Sequence, residues 1–398
     1  MGNNVCDLSD NCSGCGACKV ICPVKAISVN MNDEGFFCAD VNEKLCIECG
    51  KCKSVCLKNG IVSAIRLQDG KMFSAQSIDE DVIKSCSSGG IAYELTKYAI
   101  SEGRVVCGVV YDNEKNIART KLAKTLDEAE NFKGSKYLQS DSSDAFCQLV
   151  QEAKTDLNRK FLVFGTPCQI YGLSSLLELN NIRERCILVD LFCHGVPSYL
   201  VWNSYLEKIT KKSGKIKHVS FREKSIGWHN FVMHIIGEKS EYREPSDGDL
   251  YYHAFFDNVL FSKACYNCEV RREYSKADIR LGDYWGKRYQ HREDGVSAVL
   301  ALTQSGLDFL NKIENIKWID TTSVEEVLLA QSVHVYNTEA LRQTAIEELK
   351  STGDLKKTIY HYRKKFSFTK RTKLFLKELL AILPDSIRTK IRYLYKKI

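Results

Sequence analysis

A chain of 398 residues with 44% hydrophobic and 27% charged side chains has room for two or three cores, and its composition, ordinary for a soluble globular protein, excludes neither an enzyme nor a binding protein. Its net charge of +7 is a property of one end: residues 356–398 hold fourteen Lys or Arg against two acids, a local +12, so the other 355 residues sum to −5. Of eighteen cysteines, ten precede Cys86 and eight of those fall in two regular runs, a pattern of metal ligation in a reducing cytosol and not of a disulfide framework.

The opening MGNNVCDLSDNC has no basic segment followed by an apolar one, as a secretory leader requires, and Cys6 stands where a myristoylation site needs Ser or Thr. The apolar stretch at 374–383 is broken by Lys377 and Glu378 and is shorter than the roughly 20 residues that span a bilayer. A cytoplasmic protein is expected, with the basic tail bringing it to the inner face of a membrane.

Residues 1–62 carry the runs Cys12, Cys15, Cys18, Cys22 and Cys46, Cys49, Cys52, Cys56, each spaced CxxCxxCxxxC, with Pro23 after the first and Leu57 after the second. Two residues between ligands let three thiolates of one loop reach three corners of a 4Fe-4S cube, while the fourth thiolate comes from the other run. One cluster then takes Cys12, Cys15, Cys18 and Cys56, and the other Cys46, Cys49, Cys52 and Cys22. Gly14, Gly16, Ala17 and Gly50 permit close backbone approach to the sulfurs. Zinc also binds CxxC pairs, but two duplicated four-cysteine runs favour clusters. Between the runs, AISV and GFFCADV predict a small hairpin.

Residues 61–80 read as a connector with a Gln68-Asp69-Gly70 turn. Beyond it, RVVCGVVYD, KFLVFGTP and CILVDLFCHG are short apolar runs typical of buried strands, and SDAFCQLVQEAK and IYGLSSLLELN have helical spacing. KHVSFREK and FVMHIIGEK predict amphipathic strands, and SAVLALTQSGLDFLNKI a strand and a helix. The expected architecture is an α+β ferredoxin-like module at 1–62, a larger α/β domain at 80–335 and a helical basic tail at 339–398, broken at Pro384.

Three further motifs carry cysteine at strand ends: GTPCQ with Cys168, CHGVPS with Cys193, and CYNC with Cys265 and Cys268. If the first two strands are neighbours, their C-terminal ends bring Cys168 and Cys193 together. The four thiols then make a third cluster site; the alternative is buried free cysteines beside a stray CxxC. Six other cysteines, among them Cys86, Cys107, Cys147 and Cys186, are substitutes. No GxGxxG follows a strand, and GDYWGK at 282–287 is too short for a phosphate-binding loop, so NAD(P) on a Rossmann unit and ATP hydrolysis are disfavoured.

The first 60 residues resemble bacterial two-cluster ferredoxins. The order of that module, SGG, GSKY, GTPCQ, CHGVPS, CxxC and ADIRLGDYWG resembles the family of coenzyme F-420 hydrogenase/dehydrogenase beta subunits over residues 1–335. The resemblance implies a flavoprotein with FAD beside an iron-sulfur cluster, linked to ferredoxin or to coenzyme F-420, or a non-catalytic electron-transfer subunit serving a partner oxidoreductase. Ser88, Gly89 and Gly90 precede a helix and are placed to hold a pyrophosphate at its positive end, or simply to cap it. Lys136 and Tyr137 of the KGSKY turn supply a cation and a ring for the same flavin; a solvated basic turn is the plainer alternative. His194 is a proton-donor candidate because imidazole titrates near neutrality, and His229 and Asp283 sit among aromatics that wall a pocket, each with a structural role as the plainer alternative.

The tail interleaves cations with Tyr, Phe, Leu and Ile, which suits an amphipathic helix on an anionic membrane or a helix packed on its own domain. No recognition motif for nucleic acid accompanies it.

Overall fold

The computed structural model describes residues 3–6, 11–331 and 338–382; residues 383–398, with the expected Pro384 break, lie outside the described residues. The two predicted hairpin strands form as Ile27–Met31 (β1) and Phe37–Val41 (β2), antiparallel with Ile27 opposite Val41. Asn32 closes their turn, its side-chain oxygen accepting from the N–H groups of Glu34 and Phe36 at 3.2 and 2.9 Å. Short helices Ala17–Ile21 and Lys51–Ser54 each follow a glycine in the left-handed region, Gly16 and Gly50, with φ of 81° and 71°.

The rest of the chain is built on a nine-stranded mixed sheet. In chain order, the strands of the fold continue with Ile65–Arg66 (β3), Lys71–Ser77 (β4), Val105–Asp112 (β5), Ile117–Ala123 (β6), Ser140–Asp141 (β7), Phe161–Phe164 (β8) and Cys186–Leu191 (β9). They end with Ile216–Glu223 (β10), Val232–Gly237 (β11), Glu241–Pro245 (β12), Tyr274–Ser275 (β13), Ile279–Asp283 (β14), Ser297–Ala301 (β15) and Ile316–Thr322 (β16). The large sheet runs β16-β4-β15-β14-β9-β8-β5-β6-β7. Its centre, β14, β9, β8 and β5, is parallel, as expected for continuous apolar runs covered by helices on both faces. The amphipathic β10, β11 and β12 form a separate antiparallel meander.

The connector expected at 61–80 is instead part of this sheet, since β4 lies between β15 and β16. Hydrophobic periodicity misses it because three of its five buried positions, Ser74, Gln76 and Ser77, are polar and satisfied from a distance. Ser74 Oγ and the Tyr289 hydroxyl share a bond of 2.6 Å, Gln76 Nε2 donates to Asp294 and to the Gly295 carbonyl, and Ser77 Oγ donates to Glu94 at 2.6 Å. The larger unit therefore starts by residue 71.

The N-terminal module is docked on the sheet unit. Gln139 reaches across it, accepting from Phe37 N–H at 2.7 Å and donating to the carbonyls of Ser13 and Phe37. Ser198 Oγ donates to the Glu34 carbonyl, and Arg342 pairs with the Glu34 carboxylate. Ala17, Cys18, Cys52 and Val55 share one core with Leu149, Leu173 and Leu188. The first helices of the expected tail, Glu339–Thr352 and Leu355–Arg363, are likewise core elements: Ile346, Leu349, Leu355, Ile359 and Tyr362 pack with Trp202 and Tyr205.

One buried ion pair fixes the centre. Arg280 on β14 makes a two-pronged bond to Asp190 on β9, at 2.7 and 2.6 Å, with both side chains essentially inaccessible. Its remaining N–H groups donate to the carbonyls of Val270, Arg271 and Tyr274, so the same guanidinium that joins two strands holds the segment after Cys268. Removing one partner strands a buried charge. Arg280→Met is expected to destabilise the fold by about 3–5 kcal/mol, read as a lowered urea midpoint relative to the parent chain.

Candidate metal centres and cofactor site

The two N-terminal runs exchange their fourth thiol. Cys22 joins Cys46, Cys49 and Cys52 around one cavity, with Asn3, Val24, Ile47 and Lys51 completing the wall. Ala26 N–H donates to Cys22 Sγ at 3.3 Å and Asn4 Nδ2 to Cys46 Sγ at 3.6 Å. Gly50 is required here, because a Cβ would stand 2.6 Å from the Asn3 amide as well as meeting a positive φ.

Cys12, Cys15, Cys18 and Cys56 form the complementary set. Burial pushes the Cys15 thiol up, and Cys18, Cys56 and Cys12 add to it as neighbours; burial likewise pushes Cys18 up to about 12, with Cys12 and Cys56 next in effect. Cys12 moves the other way, to about 6, first through a bond from Cys38; Gly14 and Ala39 also donate N–H groups to its sulfur at 3.4 Å. Cys38, on β2, is outside both runs, and spacing gives no sign of its position.

Cys168, Cys193, Cys265 and Cys268 meet around a third cavity. β8 and β9 are paired in parallel, Phe164 opposite Val189, so the segments leaving their C-terminal ends converge. GTPCQ then starts the helix Pro167–Leu179: Thr166 caps it, Pro167 occupies the first turn, and Gln169 returns a bond from the third position. Gln169 also donates to Ser140 and Ser142, tying this turn to β7. Cys168 thus faces the cavity from the positive end of a helix.

In CHGVPS, Gly195 donates its N–H to Cys193 Sγ at 3.3 Å with φ of +115°. A Cβ there would lie 2.7 Å from the Phe261 ring and 3.3 Å from Cys265 Cβ, so only glycine lets the two cysteine segments close together. Ser198 N–H to Leu260 O and Ser262 N–H to Val196 O hold those segments antiparallel. Among the described residues no three Cys, His, Asp or Glu are placed to hold a metal ion; the four thiols line the cavity.

The first and third sets share a wall. Ser13, Leu57 and Lys58, which follow Cys12 and Cys56 of the first set in the chain, line the third cavity. On the helix, Gly172 sits four residues after Cys168, about 6 Å along the axis, and a Cβ there would be 2.8 Å from Cys15 Sγ.

The two loops assigned to flavin also meet: Ser87 Oγ accepts from Ser135 N–H at 2.9 Å. The residues singled out within them are held by the protein. Ser88 Oγ donates to the Val296 carbonyl and Gly89 N–H to Ser297 Oγ, anchoring the loop to β15, and Gly90 turns into the helix Ile91–Ser101 at φ of 87°. Lys136 donates to the carbonyls of Asn131 and Lys133 at 2.8 and 2.7 Å, and Tyr137 packs edge-on against Phe221, Tyr252 and Phe255.

Beside the loops stands a cluster of lysines. Gly134, at φ of +78°, has free space where a side chain would be. Lys133, Lys136 and Lys224 gather around Cys86. Desolvation pulls Lys136 down to about 7 and Lys224 to about 8, the response of cations crowded away from water. Lys133 pairs with Glu130 at 2.5 Å, and Lys224 donates to the carbonyls of Ile83, Ser88 and Asp294. Lys224 comes from the segment after β10, 88 residues from Lys136, and no motif marks it.

Asp283 accepts from Arg222 and from Trp228 Nε1, and Trp228 stacks on Trp285 at 4.9 Å. His229 Nε2 lies 3.2 Å from the Tyr289 carbonyl. Burial, then Arg271, draws His194 down to about 4, which leaves it neutral at physiological pH.

The sequence models for the N-terminal and C-terminal parts of the coenzyme F-420 hydrogenase/dehydrogenase beta subunit match residues 72–146 and 158–327, and a 4Fe-4S binding domain matches residues 8–28. The chain is 27% identical over 194 residues to a subunit of the F(420)H(2) dehydrogenase of Methanosarcina mazei, covering 46% of this chain and 53% of that one. It is 24% identical over 223 residues to an uncharacterised protein of Methanocaldococcus jannaschii, covering 48% and 61%. The aligned parts therefore span only a little over half the length of these curated relatives. A chain in the F-420-reducing NiFe hydrogenase complex of Methanosarcina barkeri aligns at a TM-score of 0.42 and 19% identity, covering 75% of this chain and 93% of that one. No described helix is long and apolar enough to cross a membrane. With both parts of one beta subunit matched in order behind a 4Fe-4S binding domain, the chain belongs to the family of coenzyme F-420 hydrogenase/dehydrogenase beta subunits.

Proposed function

We propose that this chain is an iron-sulfur flavoprotein oxidoreductase with twelve cysteine ligands in three sets: Cys22, Cys46, Cys49, Cys52; Cys12, Cys15, Cys18, Cys56; and Cys168, Cys193, Cys265, Cys268. The observation that carries the reading is the shared wall between the second and third of these sets at the helix Pro167–Leu179. When bound, the clusters supply single-electron relay, and a flavin joins that to two-electron exchange with a small molecule or a deazaflavin such as coenzyme F-420.

The residues of the chain do the positioning. Gly172 keeps the wall beside Cys15 thin. Gly195 N–H and the helix end at Cys168 offer positive partial charge to an anionic cluster. Lys133, Lys136 and Lys224 neutralise the flavin diphosphate, with Ser88, Gly89 and Gly90 holding the loop that faces them. The redox partner is a ferredoxin or another oxidoreductase subunit, and the basic tail makes a peripheral contact with a negatively charged surface.

A second reading, a non-catalytic electron-transfer subunit, is favoured by one observation: Asp283, His229 and His194 are each engaged or held neutral by the protein. Turnover of the isolated chain with reduced ferredoxin and a deazaflavin or small-molecule acceptor separates the two.

Anaerobically purified protein is expected to hold about twelve iron, matching sulfide and one FAD, whereas about eight iron without flavin overturns the scheme. Cys268→Ser and Gly195→Ala are each expected to lose about four iron and keep about eight; full iron in Cys268→Ser removes that residue from the ligands. Lys224→Met is expected to weaken FAD retention about tenfold, the loss of one charge-assisted contact, measured by fluorescence of released flavin against unchanged iron.

A further inference from the structure

The last described helix, Phe368–Ile382, faces the wrong way for a helix in water. Phe368, Phe375, Leu376 and Leu379 are 83%, 59%, 54% and 45% exposed, and their spacing of i, i+7, i+8 and i+11 puts them on one face. The opposite side is the anchored one. Leu374 packs on the core, Glu378 accepts from Arg363 at 2.6 Å, and Lys370 lies over the buried Phe366 ring at 3.6 Å.

Cations border the exposed stripe. Residues 364–373 contain Lys364, Lys365, Lys370, Arg371 and Lys373 and no acid. Among the described residues no carboxylate pairs with Lys364, Lys365, Arg371 or Lys373, whereas surface cations elsewhere, such as Lys208, Arg288 and Lys350, do pair. The sequence beyond adds Arg388, Lys390, Arg392, Lys396 and Lys397 against Asp385.

We infer that this face is a docking surface for an anionic lipid bilayer, on which the helix lies flat with its apolar stripe in the acyl boundary and its cations at the headgroups. Charge selects this occupant. A neutral protein groove would cover the stripe and leave the cations unanswered; a nucleic acid would answer the cations and leave two phenylalanines and two leucines in water. The inference rests on the reading of the tail as a surface contact and is independent of how the cysteines are assigned. It places a chain without a described bilayer-crossing helix where an electron partner within or on the membrane is reached in two dimensions.

The test is co-sedimentation of the full cluster-loaded chain with phosphatidylcholine vesicles, neutral or with phosphatidylglycerol at about one lipid in four. At least about tenfold tighter binding to the anionic vesicles is expected, weakening as salt rises. Phe375→Glu with Leu379→Glu is expected to lower that binding about tenfold with iron content unchanged, and Phe368→Ser, at the most exposed position, to lower it in the same direction. Equal binding to both vesicle types, undiminished binding by the variants, or displacement from vesicles by equimolar duplex DNA overturns the inference. Iron loss in the double variant would place the stripe in the chain's own packing and overturn it too.

Discussion

The parallel pairing of β8 with β9 is the constraint from which the site follows. β8 is an apolar run and β9 is one apart from the paired Asp190, both largely buried, so register and direction are set by the core. Each strand releases a cysteine segment at the same edge of the sheet, GTPCQ from one and CHGVPS from the other. Direction at that edge is then a matter of local chemistry. Thr166, Pro167 and Gln169 leave the chain no choice but to begin a helix, and Gly195 leaves it no room but to close on Cys265. Arg280, reaching from β14 to Asp190, extends the same logic to the third segment by holding the carbonyls that follow Cys268.

The helix that starts at Cys168 also organises the N-terminal module. A helix lined with large side chains would hold the module away, and the cysteines of the first run would lie a full side chain further from the third set. Gly172 removes that spacer at the one position where Cys15 approaches. Gln139 and Ser198 then fix the module by its backbone, at Ser13, Phe37 and Glu34. These main-chain contacts work beside the Arg342–Glu34 pair and the core that Ala17, Cys18, Cys52 and Val55 share with the sheet unit. What matters is that the hairpin and the cysteine loop keep their shape.

How much of this was legible in the sequence follows from where the signal is local. The cysteine runs state their own spacing, and the exchange of Cys22 and Cys56 between them follows from it. β5, β8 and β9 announce themselves as apolar runs between turns. β4 does not, because Ser74, Gln76 and Ser77 are buried in hydrogen bonds whose partners are 17 to 219 residues away, and no window of sequence contains both ends. Cys38 is hidden for a similar reason: it is near Cys12 only because the first cysteine loop packs on β2, where Ala39 N–H donates to Cys12 Sγ. The lysines near Cys86 come from two stretches of the chain, so composition shows them as ordinary surface charge.

The residues that sequence reading placed at the flavin illustrate a further limit. Ser88, Gly89 and Gly90 have the chemistry of a phosphate loop, yet Ser88 Oγ and Gly89 N–H donate to Val296 and Ser297 at β15, and the Gly90 carbonyl accepts from Tyr93 and Glu94 of the next helix. Glycine and serine suit a loop that must approach another backbone whether that backbone is a ligand's or the protein's own, so the motif alone does not distinguish the two. The lysines near Cys86 share that ambiguity: desolvation pulls Lys136 and Lys224 down, yet Lys136 donates to the carbonyls of Asn131 and Lys133, Lys224 to those of Ile83, Ser88 and Asp294, and Lys133 pairs with Glu130.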